Sequence, residues 1–107
     1  MIRAKDRTID VYKRVGAEMR LLKSILSKVT VDVSKVLTAT ETDKLIKELD
    51  RICLICSRTE ENMFKEYPNL SNEYTDVFYG ALNFEPRNEV DAEIIETAKR
   101  VAYELFK

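Results

Sequence analysis

The sequence predicts an all-α protein, a small up-and-down helical bundle with two long antiparallel helices, a short third and a medium fourth. Three observations predict it. Tyr12, Val15, Met19, Leu22, Leu26 and Val29 recur at alternating steps of three and four residues, and the spacing returns in Leu45, Leu49, Ile52, Cys56, Thr59 and Met63. Apolar side chains repeating about every 3.5 residues line a helix face that must be buried against another helix. The composition, 45% apolar and 35% charged with two Gly and two Pro, suits helices and is far from that of a disordered chain. The one alternating segment, Val31-Asp32-Val33-Ser34, has no second strand-like run to pair with.

Taken in order, the first helix is expected from about Asp6 to Val29, followed by an irregular connector from Thr30 to Ala39. The second is expected from about Glu41 to Tyr67, with Thr40 as its cap and Asp43 three residues on, a pattern that resembles a capping box. Pro68 ends it, because proline has no amide hydrogen and disfavours a helical Tyr67. Ser71 would cap a short third helix reaching about Asn83, with Tyr74, Val77, Phe78, Ala81 and Leu82 inward. Phe84-Glu85-Pro86-Arg87 reads as a turn. Asn88 would cap the fourth helix, whose early acids and late bases suit the helix dipole and whose inner stripe is Val90, Ile94, Ala98, Val101 and Leu105. A length of 107 residues fits one domain, 1–107, with a core that needs neither disulfides nor metal.

Several function classes are disfavoured by what the chain lacks. It has no histidine, which removes Ser-His and Cys-His catalysis, the usual general base at neutral pH and most transition-metal ligation. With only Gly16 and Gly80 there is no glycine-rich phosphate loop. No catalytic residue, cofactor, metal or small-molecule substrate is expected. Cys53-Leu54-Ile55-Cys56 has the C-x-x-C form, but it lies mid-helix among apolar neighbours that raise a thiol pKa, and two sulfurs alone cannot complete a zinc site. Both cysteines are expected as small core hydrophobes and as reduced thiols. No apolar run approaches the roughly 18 residues of a membrane span, and the opening Met1-Ile2-Arg3-Ala4-Lys5-Asp6-Arg7 lacks the apolar stretch of a secretory signal. The expectation is a soluble, cytoplasmic protein.

Two surface features remain as candidates. The net charge of −1 conceals +5 over residues 1–30, −2 over 31–70 and −4 over 71–107. With Tyr12 at heptad position a, Lys13 and Arg20 fall at b and Arg7, Arg14 and Lys28 at c, a basic stripe that could track phosphates or meet an acidic partner. The competing reading is a solvated face balanced by acids of the last helix; a pI of about 5.6 and the absence of interleaved aromatics disfavour nucleic acid. Phe64, Tyr67, Tyr74, Phe78, Tyr79 and Phe84 are six of the nine aromatics within 21 residues. Tyrosines bury a ring while keeping the hydroxyl wet, so Tyr67, Tyr74, Tyr79 and Phe84, with Leu54 and Leu21 off their seams, are candidates for a partner-facing patch; anchoring a short helix is the competing role.

The functional expectation is a non-catalytic protein-protein interaction module. Self-association is open, because a heptad seam is satisfied equally by an intrachain hairpin or by another copy. The alternatives are a nucleic-acid-associated regulator using the basic stripe, and an immunity- or antitoxin-like inhibitor, the latter on fold-level analogy alone.

Overall fold

A computed structural model describes residues 1–82 and 85–105. Its elements are a 3-10 turn at Ala4–Asp6, helix α1 at Ile9–Val33, helix α2 at Ala39–Glu66, a second 3-10 turn at Asn72–Asp76 and helix α3 at Glu89–Leu105. The all-α class is as expected. The described residues contain three α-helices rather than four, and the reason lies in the segment after Pro68.

α1 starts when Thr8, in an extended conformation, accepts a hydrogen bond from the amide of Val11 through its side chain. It runs past the expected end at Val29 to Val33. The β-branched residues there cost a few tenths of a kcal/mol each in helix propensity, and local bonds hold the turn: Thr30 Oγ1 donates to Leu26 O at 2.7 Å and Lys28 pairs with Asp32 at 3.2 Å. The connector therefore shrinks to residues 34–38. α2 is capped by Thr38, not Thr40; the side chain of Thr38 accepts from Glu41 N at 3.2 Å, so the capping sequence is Thr38-Ala39-Thr40-Glu41, two residues earlier than expected.

The expected third helix is reduced to the 3-10 turn at Asn72–Asp76. A continuing helix would commit the carbonyl of Asp76 to the amide of Gly80. Instead Gly80 takes φ +112°, and the carbonyls of Asp76, Gly80 and Ala81 accept from the guanidinium of Arg20. Asn83, the expected end of that helix, lies outside the described residues. Asn88 caps α3 as expected, its Oδ1 accepting from Asp91 N at 2.8 Å.

α1 and α2 form an antiparallel hairpin, since Tyr12 near the start of α1 meets Asn62 and Glu66 near the end of α2. α3 crosses α1 rather than running beside it: adjacent Lys13 and Arg14 reach Glu93 and Glu104, which lie on α3 about 16 Å apart at about 1.5 Å rise per residue. The core sits at this crossing, built from Tyr12, Ala17, Cys56, Met63, Val77, Phe78, Val90, Ile94 and Ala98. Gly16 lets the chain at Val77 approach α1; a Cβ there would stand 2.5 Å from the Val77 carbonyl oxygen.

Among the described residues, the far half of the hairpin is two helices thick. Between Arg20 and Cys56 no apolar side chain is fully buried; Leu26, Leu45, Leu49 and Ile52 are half-buried, while Leu22 and Val29 of the seam are exposed. The seam is thus closed near Tyr12, Cys56 and Met63 and open on one flank towards the hairpin tip. Leu105, expected inward on the last helix, is 67% exposed.

Candidate functional site

The most densely bonded side chain is Arg20, which the heptad assignment had placed on an outward face. It is 1% exposed. Its Nη1 donates to Asp91 Oδ1 at 2.7 Å, its Nε to Gly80 O at 3.2 Å and its Nη2 to Ala81 O at 2.7 Å. Burial alone would raise the Asp91 pKa, but hydrogen bonds from Arg87 N–H and Arg20, with the charges of Arg20 and Arg87, hold it below the usual carboxylate value. Arg87 also pairs with Asp76 at 3.1 Å. This centre ties the loop 76–81 to α1 and α3; the guanidinium itself is buried, and a depression of about 350 Å³ lined by Gly80, Ala81, Glu85, Arg87 and Asp91 lies beside it.

The remaining cations of the expected basic stripe are all engaged. Arg7 meets Glu66 at 2.9 Å, Lys13 meets Glu93 at 2.7 Å, Arg14 meets Glu104 at 3.4 Å and Lys28 meets Asp32 at 3.2 Å. Burial, the largest influence, would lower the Lys13 pKa, but the hydrogen bond to Glu93 together with the charges of Tyr74, Glu93 and Asp10 outweighs it, and the net shift is upward. The stripe was assigned outward relative to α2 alone, whereas α1 is the central helix and α3 covers the side that carries Lys13 and Arg20. Gly16 and Ala17, both buried, are the signal of that second contact face in the sequence, because small residues permit close helix approach.

The aromatic candidates pack inward. The Tyr67 hydroxyl donates to Arg7 O at 2.7 Å, and its ring meets Tyr12 edge-on with centroids 6.2 Å apart. The Tyr74 ring lies 5.5 Å from Lys13 Nζ. Tyr79 shares a 2.9 Å hydrogen bond with Ser57, and Lys23 Nζ sits 4.3 Å from its ring centroid. These three tyrosines are half-buried and fasten the chain after Pro68 onto the hairpin. Phe84 lies outside the described residues. Leu54, by contrast, is 52% exposed, as expected of an off-seam residue; Leu21 is half-buried beside Val101.

Cys56 is fully buried and Cys53 half-buried. Burial pushes the Cys56 thiol up, only partly offset by the nearby charge of Lys23. Among the described residues, no group of three or more His, Cys, Asp or Glu side chains could hold a metal ion, and no helix is long and apolar enough to cross a membrane.

Among the described residues, an extended apolar surface is left open on α1. Val11, Val15, Glu18, Leu22, Ile25 and Val29 follow one another at steps of four and three residues, and so share one side of the helix. α2 packs on the neighbouring Tyr12, Met19 and Leu26 side, and α3 on the side of Ala17 and Arg20. Two shallow depressions lie along this stripe. One, about 330 Å³, is floored by Val11, Val15 and Ile55; the other, about 190 Å³, by Leu22, Ile25 and Leu105. Glu18 stands at the edge of the second. The stripe was not separable in the sequence from the α2-facing seam, with which it shares Val15, Leu22 and Val29.

Together these features define an all-helical protein in which a central helix is covered on two sides and open on a third. No family model, no curated protein and no solved structure matches the chain.

Proposed function

We propose that the protein is a non-catalytic interaction module that docks a protein partner on the open side of α1 and the adjoining edge of α2. The observation that carries this reading is the half-finished hairpin: residues 21–55 contain no fully buried apolar side chain, while Leu22, Ile25, Leu54 and Ile55 are 44 to 52% exposed. Contiguous apolar surface on an otherwise charged protein marks an interaction site, and a helix-lined groove with anchors at i, i+3, i+4 and i+7 is a recurrent way of meeting another helix. The surface differs from the one expected around Tyr67, Tyr74 and Tyr79, whose rings are spent on internal packing. The nucleic-acid alternative gains no support from a basic stripe whose cations all face carboxylates.

The test is association in the native host, comparing the wild type with a Leu22→Ser, Ile55→Ser double variant. A stoichiometric protein, or a second copy, should accompany the wild type and be lost from the variant at an unchanged thermal midpoint. Association that survives the double variant overturns the reading, as does recovery of the wild type as a monomer with nothing bound.

A further inference from the structure

We propose that the partner on the α1 stripe is a second copy of this chain, packed with its α1 antiparallel to the first. The inference rests on the reading that this face is a docking surface and names its occupant. Val11, Val15, Glu18, Leu22, Ile25 and Val29 are spaced four, three, four, three and four residues apart, the a/d rhythm that an identical helix answers with the same knobs and holes. It is a second seam, set beside the one that α2 occupies, and Val11, Leu22, Ile25 and Val29 are each 38 to 49% exposed.

Charge selects the direction. Asp10 flanks the start of the stripe and Lys28 its end, on the same side of the helix, and both are exposed. A parallel pair would set Glu18 against Glu18 in the seam and leave Asp10 and Lys28 on opposite flanks of the two copies, out of reach of each other. An antiparallel pair centred between Glu18 and Leu22 places Val11 against Val29 and Val15 against Ile25 across the two-fold axis, and brings each Asp10 within about a turn of the other copy's Lys28. Like charges remain at the centre, where Glu18 of each copy lies beside Leu22 of the other, and at the flank, where Arg14, paired with Glu104 of its own copy, is as near as Asp10 to the other copy's Lys28, itself paired with Asp32.

The seam is about 27 Å long at about 1.5 Å per residue and one helix diameter, about 10–12 Å, wide, with the rims of α2 and α3 beside it. That is a few hundred Å² per copy, less than the about 800 Å² per partner of a standard specific interface, so the expected dimer is weak and transient, forming only at micromolar concentration or above.

Sedimentation equilibrium of the purified full chain, from about 1 to about 200 μM, brackets that range. A reversible monomer–dimer equilibrium is expected. Ile25→Glu should weaken it at least tenfold. Glu18→Leu, which completes the stripe and removes the central repulsion, should tighten it at least tenfold, and this gain cannot be produced by misfolding. Asp10→Lys and Lys28→Asp should each weaken the dimer, and the two together should restore it. A chain monomeric throughout the range overturns the inference; if a stoichiometric partner lost from the Leu22→Ser, Ile55→Ser variant is still found in the host, the docking surface stands and only its occupant is wrong. A dimer indifferent to Glu18→Leu and Ile25→Glu, or a charge reversal without restoration, overturns the seam or its direction.

Discussion

Arg20 Nη1 and Asp91 Oδ1 stand 2.7 Å apart with side chains 0% and 3% exposed, and this pair takes the place of a helix. The guanidinium supplies the donors that the carbonyls of Gly80 and Ala81 would otherwise lack and a second donor to that of Asp76, which also accepts from Tyr79 N at 3.1 Å; the other oxygen of Asp91 accepts from Arg87 N at 3.0 Å. Removing one partner strands a buried charge, which costs about 3–5 kcal/mol. Arg20→Met or Asp91→Asn should therefore lower the urea midpoint sharply. Many buried ion pairs can be replaced by apolar residues at no net cost; here the Arg20→Met, Asp91→Leu double variant should remain destabilised, because the carbonyls of Gly80 and Ala81 and the amide of Arg87 lose their partner as well. A double variant as stable as the wild type would show that those loop contacts contribute nothing.

The same carboxylate sets an acid limit. Its pKa is held below the unfolded value of about 3.9. A depressed folded pKa gives stability that is fully present above the unfolded value and is lost as pH falls through the folded one. Glu66 is shifted downward as well, first by the hydrogen bond it accepts from Tyr12 and then by Arg7. Urea midpoints of wild type and Asp91→Asn should differ widely at neutral pH and converge as pH drops below about 3.9. A gap that stays constant in acid would mean that Asp91 is not ionised against Arg20.

Gly16 tests the close approach of the chain at Val77. In the interior of an exposed helix, replacing Gly by Ala gains about 1 kcal/mol. At position 16 the new methyl would stand 2.5 Å from both Val77 Cγ1 and the Val77 carbonyl oxygen, and a backbone oxygen cannot rotate away. Overpacking of this kind costs about 1–3 kcal/mol, so the sign should reverse and Gly16→Ala should destabilise. Thermal melts decide it: a raised midpoint would show that Val77 yields freely.

The parts of the fold legible in the sequence are those that depend on one period. The two long helices, the cap at Asn88 and the burial of Cys56 and Met63 follow from spacing and capping chemistry. The third helix was misread because its failure depends on Arg20, about 60 residues away in sequence, and no local pattern records a guanidinium that will take a helix's carbonyls. Arg20 itself was misplaced because a heptad wheel has one inside, whereas α1 has two; Gly16 and Ala17 were the available sign of the second. The tyrosines are amphipathic by type, but the hydroxyls of Tyr67 and Tyr79 are bonded to Arg7 O and Ser57 within the chain, which no local pattern in the sequence records. The open stripe of α1 was hidden for the opposite reason. Its residues overlap the seam, and only the position of α2 shows which flank remains uncovered.

The two cysteines provide a measure of how tightly the closed half of the hairpin is held. Cys53 and Cys56 lie three residues apart on α2, yet Cys53 is half-buried and Cys56 fully enclosed, with its thiol pushed up chiefly by burial. The attacking species is the thiolate, so exposure and pKa act in the same direction. With an aromatic disulfide reagent at mildly alkaline pH, Cys53 should react first. Cys56 should follow only as fast as the core around Met63 and Phe78 opens, a rate tied to stability when opening is rapid and reversible. Sub-denaturing urea should accelerate the slow phase and leave the fast one nearly unchanged, and Arg20→Met should accelerate it without denaturant, because the loop that closes over α2 would then be released. Two thiols reacting at one rate in the native protein would show that the hairpin is as open at Cys56 as it is at its tip.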